Sequence, residues 1–419
     1  MTSDSSVVAA LDIGSSHTTA LVASVQTDRA RVPRLRVLGL GIARTAGLRR
    51  GAVSDIEEAT RSIREAMDEA VRVAGVVLDS FYVGIAGDHV RASSSTGVVA
   101  ISGDEITRAD VERVNEVARA QAIPGERELL HAIPQEYRVD KADGIHDPVG
   151  MIGTRLETEM FLVTIGSSQA MNLRKAIERA GLKTSELVLE SLASALAVLT
   201  EEERDLGVAL VELGAGSTDV AVFHDGKIRH LASVAYGGQN VTSDLVRGLG
   251  ITQHDAEELK EAYGCAYEPL IDPDQVIAMP PSGSHGERHI SRELMTHIIH
   301  QRMDEIFDRV QREIGRVDYT GKLNAGVVLT GGGALLEGVS ELAAEVFGLG
   351  VRVGAPGSRL EGLAEVVADP RHATVAGLAM YGGRELLRSG NGVSRRAGLS
   401  PGGVDRLTSR VKTWFQDFF

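Results

Sequence analysis

The sequence predicts an α/β protein of two related lobes. Three observations carry this. The chain has 419 residues, too many for one hydrophobic core. Short apolar runs alternate with amphipathic stretches, as strands joined by helices do. One local pattern also occurs twice, about 200 residues apart: "VVAALDIGSSHTTALVAS" from Val7 and "GVALVELGAGSTDVAVFHDGKI" from Gly207. Each reads apolar strand, acid, Gly turn with small polar residues, apolar strand. Asp12 therefore aligns with Glu212, and Gly14 with Gly214. Repetition on that scale implies duplicated domains rather than a solenoid.

The elements follow in order. Val7 to Ile13 and Thr18 to Val25 form a strand pair around "GSSH". Ser54 to Val73 is a helix, with Ser54 as N-cap and Glu57 completing a capping box. Val76 to Ala86 returns to strand, and Thr107 to Ala122 is a helix ended by Ile123-Pro124-Gly125. Leu156 to Thr164 alternates as a strand, and Ser167 to Ala180 is a helix stopped by Gly181. The second Gly turn opens the next cycle, with a further turn at Asp225-Gly226. Ile271 to His289 is a Pro/Gly/Ser-rich loop or hairpin, and Ser291 to Arg316 a long helix. "VVLTGGGALLEGV", from Val327, is strand, three glycines, helix. Ser389 to Gly403 holds almost no apolar side chains and reads as a linker.

Composition excludes several classes. A formal charge of −14 leaves no general basic face for nucleic acid. The single cysteine, Cys265, cannot form an internal disulfide and fits a reducing compartment. No basic, apolar leader opens the sequence, and no run reaches the roughly 18 apolar residues of a membrane span. A soluble, cytoplasmic protein is expected, with membrane contact only at the periphery.

The two Gly turns suit polyphosphate binding. Glycine lets backbone approach closely, and successive N–H groups form an anion nest. An acid beside such a turn can hold Mg²⁺ through water. A single copy would as readily be a hairpin turn; two copies can clamp from both sides. At the third turn, Gly331, Gly332 and Gly333 would let a flat base lie on bare backbone.

Together these turns resemble the actin-like ATPase superfamily. Its phosphate-1 loop corresponds to Asp12–Thr18, its phosphate-2 loop to Glu212–Asp219, and its adenosine loop to Gly331–Gly333. Its two connecting helices resemble "ESLASALAVL" from Glu190 and "ATVAGLAMYG" from Ala373. Within the superfamily, "LLHAIPQEYRVDKADGIHDPVGMIGTRLE" from Leu129, "SVAYGGQNVTSDLV" from Ser233 and "AEELKEAYG" from Ala256 are similar to the bacterial cell-division family FtsA. That resemblance implies an actin-like two-lobed ATPase fold with an FtsA-type inserted subdomain and a C-terminal amphipathic helix. Residues 1–85 would form the core of lobe I, completed by 166–205 and 366–388, with the insert at 86–165. Residues 206–248 would form the core of lobe II, completed by 320–365, with a small subdomain at 249–319. Residues 389–404 would be a flexible linker and 405–419 the helix.

The resemblance also implies roles. Asp12 and Glu212 would order Mg²⁺ and its waters, with Glu190 as the third member of the catalytic set. Glu190 could position the attacking water or simply face its helix dipole. Gly14, Ser15, Ser16, His17, Gly214, Ala215, Gly216, Ser217 and Thr218 would surround the phosphates. Gly237, Gly238, Glu257 and Lys260, with the three late glycines, would surround adenosine. Without the resemblance, Glu257 and Lys260 read as a helical ion pair. Arg292 and Arg302 could meet the acidic C-terminal peptide of FtsZ, or be solvated surface charges. ATP, Mg, FtsZ, further copies of the chain, other divisome proteins and the inner membrane are the implied ligands and partners. Three positions depart from the family: Glu212 where Asp is usual, Ala215 where Gly is usual, His17 where Lys is usual. A longer acid, lost tolerance for positive φ and a lost fixed charge lead us to expect hydrolysis slower than about 1 s⁻¹.

"RVKTWFQDFF", from Arg410, holds the only tryptophan and three of the eight phenylalanines. As a helix it would place Leu407, Val411, Trp414, Phe415 and Phe418 on one face, with Phe419 at the end and Arg410 and Lys412 around it. Aromatics beside basic residues suit an anionic lipid surface. Docking on its own protein, or in a partner's groove, is the other reading. A related adaptor of the PilM type and a small-molecule kinase are the competing functions.

Overall fold

The computed structural model describes residues 6–27, 33–76, 78, 80–279, 288–317, 319–357 and 360–388. The expected linker at 389–404 and helix at 405–419 lie outside the described residues.

Lobe I begins with β1 (Val7–Ile13), β2 (His17–Thr27), β3 (Pro33–Arg44), a small hairpin of β4 (Leu48–Arg49) and β5 (Ala52–Val53), α1 (Ile56–Ala74) and β6 (Ser80–Ile85). Asp55, not Ser54, caps α1: its carboxylate accepts the N–H groups of Glu57 and Glu58. Asp55 sits in extended conformation directly before the first helical residue, where a cap must be. The strand expected from Val76 begins only at Ser80.

The chain then leaves for the insert: β7 (Arg91–Ala100), α2 (Arg108–Arg119), β8 (Arg127–Val139), β9 (Ala142–Ile145) and β10 (Arg155–Gly166). These make one antiparallel sheet in the order β7-β10-β8-β9, with α2 packed on β7 and capped by Thr107 and Asp110. Lobe I resumes with α3 (Ser167–Arg179), β11 (Lys183–Leu189) and α4 (Glu190–Val198), followed by the short α5 (Glu201–Leu206).

Lobe II repeats the opening: β12 (Val208–Leu213), β13 (Thr218–His224), β14 (Lys227–Val234) and α6 (Gly238–Leu249). Asp225 and Gly226, both at positive φ, make the β13–β14 turn. The small subdomain holds α7 (Gln253–Tyr263), the hairpin of β15 (Val276–Met279) and β16 (Arg288–Ser291), and the long α8 (Arg292–Ile314) capped by Ser291. Then come β17 (Val327–Thr330), α9 (Val339–Phe347) and β18 (Val351–Val353). The return to lobe I occurs before residue 366, because β19 (Leu360–Gly362) pairs with β3. The last element is α10 (Ala373–Arg388).

The two main sheets run β11-β6-β1-β2-β3-β19 and β14-β13-β12-β17-β18. Period-two alternation divides their side chains between faces. On β12, Ala209, Val211 and Leu213 enter the outer core beneath α6 and α8. Val208 and Leu210 enter the inner core, which also takes in α4, α10 and the inner face of lobe I. On β1, Ala9 and Leu11 face α1 and α3, while Val8 and Ala10 face inward. Helices α4 and α10 therefore lie between the sheets and tie the lobes together. Their crossing is close: a Cβ on Gly377 would stand 1.8 Å from the Ala193 carbonyl oxygen.

Candidate functional site

The duplicated pattern folds as two matching hairpins. Gly14 N–H donates to the His17 carbonyl at 3.1 Å, and Gly214 N–H to the Ser217 carbonyl at 3.0 Å. Strand registers match as well: Asp12 pairs with Thr19, and Glu212 with Asp219. Both turns open into the space between the lobes and meet there. A Cβ on Gly216 would lie 2.5 Å from Ser15 Oγ, and the Gln239 side chain donates to the Ser15 carbonyl at 3.2 Å. Thr45 N–H holds Ser16 through its carbonyl at 2.8 Å. Thr218 Oγ1 donates to the Tyr236 carbonyl at 2.9 Å, and Ser217 Oγ to Asp219 at 3.0 Å. Ala215 is not among the residues at positive φ, so this chain's alanine fits the turn without strain.

Four carboxyls stand partly buried around this meeting point: Asp12, Glu190, Glu212 and Asp219. Asp12 is pushed up to about 8, by burial first and then by Glu212. Glu212 is pushed up to about 7 by burial, against the hydroxyl of Thr374, with Asp219 adding to the rise. Glu190 lies well above the carboxylate range, through burial and then Asp12, Glu212 and Asp219. Burial also raises Asp219, against its serine hydrogen bonds. No cationic side chain enters any of the four shifts. Oxygen donors with uncompensated charge suit a hard divalent cation. Among the described residues no three His, Cys, Asp or Glu side chains group to hold one directly.

Two placements escape a sequence reading. Glu212 is clasped from both connecting helices: Ser194 Oγ on α4 donates to Oε2 at 2.9 Å, and Thr374 Oγ1 on α10 donates to Oε1. Its extra methylene reaches toward these helices. Glu190 packs on bare backbone, since a Cβ on Gly84 would fall 2.9 Å from its Cγ.

On the opposite wall, Gly237 and Gly238 open α6 against the lobe II Gly turn, where Gly238 and Gln239 N–H donate to the carbonyls of Gly214 and Ala215 at 3.0 and 2.8 Å. Lys260 donates to Glu257 at 2.7 Å, to the Thr242 hydroxyl at 2.9 Å and to the Gly238 carbonyl at 3.3 Å, so the pair braces the start of α6. Of the three late glycines, Gly331 and Gly333 are pressed on Leu213, and Gly332 alone faces open space. Desolvation first, and then the Arg371 guanidinium, hold His17 below the usual imidazole range, against Glu261 and Glu257. Arg371 thus brings a cation near His17.

Arg292 and Arg302 are not free surface charges. Arg292 bonds Glu337 and Gln275, both at 2.7 Å. Arg302 bonds Asp244 at 2.5 Å and Glu305. The membrane-facing residues expected from Leu407 to Phe419 lie outside the described residues.

The sequence model for the cell division protein FtsA matches residues 209–377, and that for the SHS2 domain inserted in FtsA matches residues 87–164. The chain is 40% identical over 417 residues to the cell division protein FtsA of Pseudomonas aeruginosa, covering 99% of this chain and 98% of that one. It is 35% identical over 420 residues to FtsA of Escherichia coli K12, covering 98% and 99%. The chain belongs to the FtsA family. It is accordingly a cell-division protein, and its inserted sheet is the SHS2 domain of that family. Solved structures with this fold include the PilM–PilN type IV pilus biogenesis complex, with TM-score 0.64 at 17% identity over 90% of this chain and 98% of that one. MreB5 of Spiroplasma citri bound to ADP has TM-score 0.56 at 14% identity, over 93% and 100%. The fold is thus the actin-like one, and FtsA membership sets aside the PilM and kinase readings.

Proposed function

We propose that this FtsA binds ATP with Mg²⁺ between its lobes, hydrolyses it slowly, assembles with further copies, and tethers FtsZ polymers to the cytoplasmic face of the membrane at the division site. The observation that carries the nucleotide reading is the pair of matching acid–Gly hairpins facing one another with uncompensated carboxyls between them. The turn residues of both lobes, Gly14–His17 and Gly214–Thr218, would receive the phosphates, and Gly332 with the Glu257–Lys260 brace would border adenosine. Asp12, and Glu212 from its clasp, would orient the cation's waters; the cation would neutralise charge developing on the phosphates. Glu190, on the wall between them, would orient an attacking water and take its proton when deprotonated.

Magnesium-dependent ATP binding measured by calorimetry tests this, with Asp12→Ala as the comparison. Micromolar binding lost in Asp12→Ala supports it; no binding at millimolar ATP refutes it. Turnover above about 1 s⁻¹ would refute the slow-hydrolysis part.

FtsZ's acidic C-terminal peptide would meet the small subdomain. Arg292 and Arg302, with side chains 16% and 21% exposed, are the candidate cations there, and the peptide would have to compete with Glu337, Asp244 and Glu305 for them. For the membrane, five apolar side chains at 405–419 give roughly 10 kcal/mol gross, much reduced by partial burial and by helix formation in a short segment. One copy binds weakly; linked copies gain orders of magnitude. Pelleting with anionic liposomes should therefore need both ATP-driven assembly and residues 405–419. Equal pelleting of a chain ending at Gly403 refutes the anchor.

A further inference from the structure

Glu190 opens α4 directly after β11, and β11 is the outer strand of the lobe I sheet. An outer strand presents backbone groups with no neighbouring strand. Leu189, the residue before Glu190, donates its N–H to His131 Nε2 at 3.0 Å. His131 belongs to β8 of the SHS2 insert and is 2% exposed. Its acceptor nitrogen fixes the tautomer with the proton on Nδ1, and burial holds the ring neutral, lowering it to about 3. Leu189 has no side-chain cap to offer α4, so the imidazole fixes the backbone at the turn from strand to helix. The Glu190 carboxyl is meanwhile seated against Gly84 on β6. Five residues along β8, Glu136 reaches lobe II, with Lys227 Nζ at 3.3 Å and Arg229 at 3.2 Å. One strand of the insert therefore touches the base of the Glu190 helix and the edge strand of the opposite lobe.

We propose that His131 is a positioning residue for Glu190, through which the inserted subdomain sets how well the water-orienting carboxyl is aligned. It touches no substrate; it acts through the Leu189 N–H. This rests on the nucleotide reading above and adds to it a site of control in the insert: whatever shifts β8 shifts Glu190.

Full-length parent, His131→Phe and His131→Gln are compared. Phenylalanine keeps a flat ring, somewhat larger, and removes the acceptor; glutamine restores an acceptor near Nε2. Three quantities are read: amide exchange at Leu189, KM for MgATP, and turnover. The expected result is faster Leu189 exchange in His131→Phe, KM within twofold of the parent, and turnover about tenfold lower, equivalent to about 1.4 kcal/mol. His131→Gln should recover exchange protection and most of the turnover. Unchanged turnover in His131→Phe, or KM and turnover falling together with no recovery by glutamine, overturns the proposal. A parent that binds and turns over no ATP refutes the nucleotide reading itself; turnover that is present but indifferent to residue 131 refutes only this one.

Discussion

Gly377→Ala should destabilise the protein, although the same change in most helix interiors stabilises it. Alanine is favoured over glycine in a helix by about 1 kcal/mol. Here the added methyl would stand 1.8 Å from the Ala193 carbonyl oxygen and 2.3 Å from its carbon. Both are backbone atoms of α4, so no side chain can rotate away. The contact must lengthen by more than an ångström, parting α4 from α10 along a seam of Ala193, Ala376 and Leu192, all fully buried. Overpacking of this kind costs about 3 kcal/mol at the upper end of its usual range. Set against the helix gain, about 2 kcal/mol of net destabilisation remains. Urea unfolding of the full chain reads this. Gly248→Ala on α6 is the control, because its methyl would meet only the movable end of Ile298; it should stay within about 1 kcal/mol of the parent. The parting should also loosen the Glu212 clasp, since Ser194 and Thr374 sit on the two separated helices. ATP affinity should fall with stability. A Gly377→Ala protein as stable as its parent would refute the close crossing.

Three more predictions concern charge. Burial pushes the Asp12 and Glu212 carboxyls up to about 8 and about 7 in the folded chain, above the ordinary carboxylate range, so between about pH 4 and 8 the folded state holds protons the unfolded state has lost. Their contribution to stability is complete below about pH 4 and is lost as pH rises; nucleotide-free protein should melt lower at pH 8 than at pH 6, with a smaller difference in Asp12→Asn. Glu136→Gln leaves Lys227 buried without its carboxylate, which should cost about 1.5–3 kcal/mol in urea unfolding, whereas Glu361→Gln, at the exposed pair with Arg34, should cost under about 1 kcal/mol. On anionic liposomes at high salt, Trp414→Ala should reduce pelleting more than Lys412→Ala, because salt screens charge and leaves the hydrophobic term; the reverse order would mean the contact is chiefly electrostatic.

Local patterns made much of this molecule readable in advance. The two acid–Gly hairpins share one register because each is specified by contiguous residues, and the caps at Thr107 and Ser291 lie where their hydroxyls announce them. Strands β7 and β8 were harder. β7 is serine-rich and largely exposed, so it lacks the apolar alternation of a core strand. The partners that complete the site were not legible, because nothing local marks them. Ser194 and Thr374 meet Glu212 only after α4 and α10 cross. Gly84 matters only because Glu190 lies across it, and His131 only because a strand from another subdomain passes beside Leu189. The acids that hold Arg292 and Arg302 were hidden for a related reason: a sequence shows a cation but not the carboxylate beside it in space.

The crossing at Gly377 has a mechanical consequence. From that glycine, α10 runs eleven residues to Arg388, about 16 Å at the rise of an α-helix. It is a lever whose fulcrum is an absent methyl group, with Thr374, on the short arm, gripping an acid of the opposite lobe. A tilt of about 5° at the fulcrum would carry the far end through about 1.4 Å over that length. A pull on Glu212 would thus reach Arg388, the last described residue, as displacement.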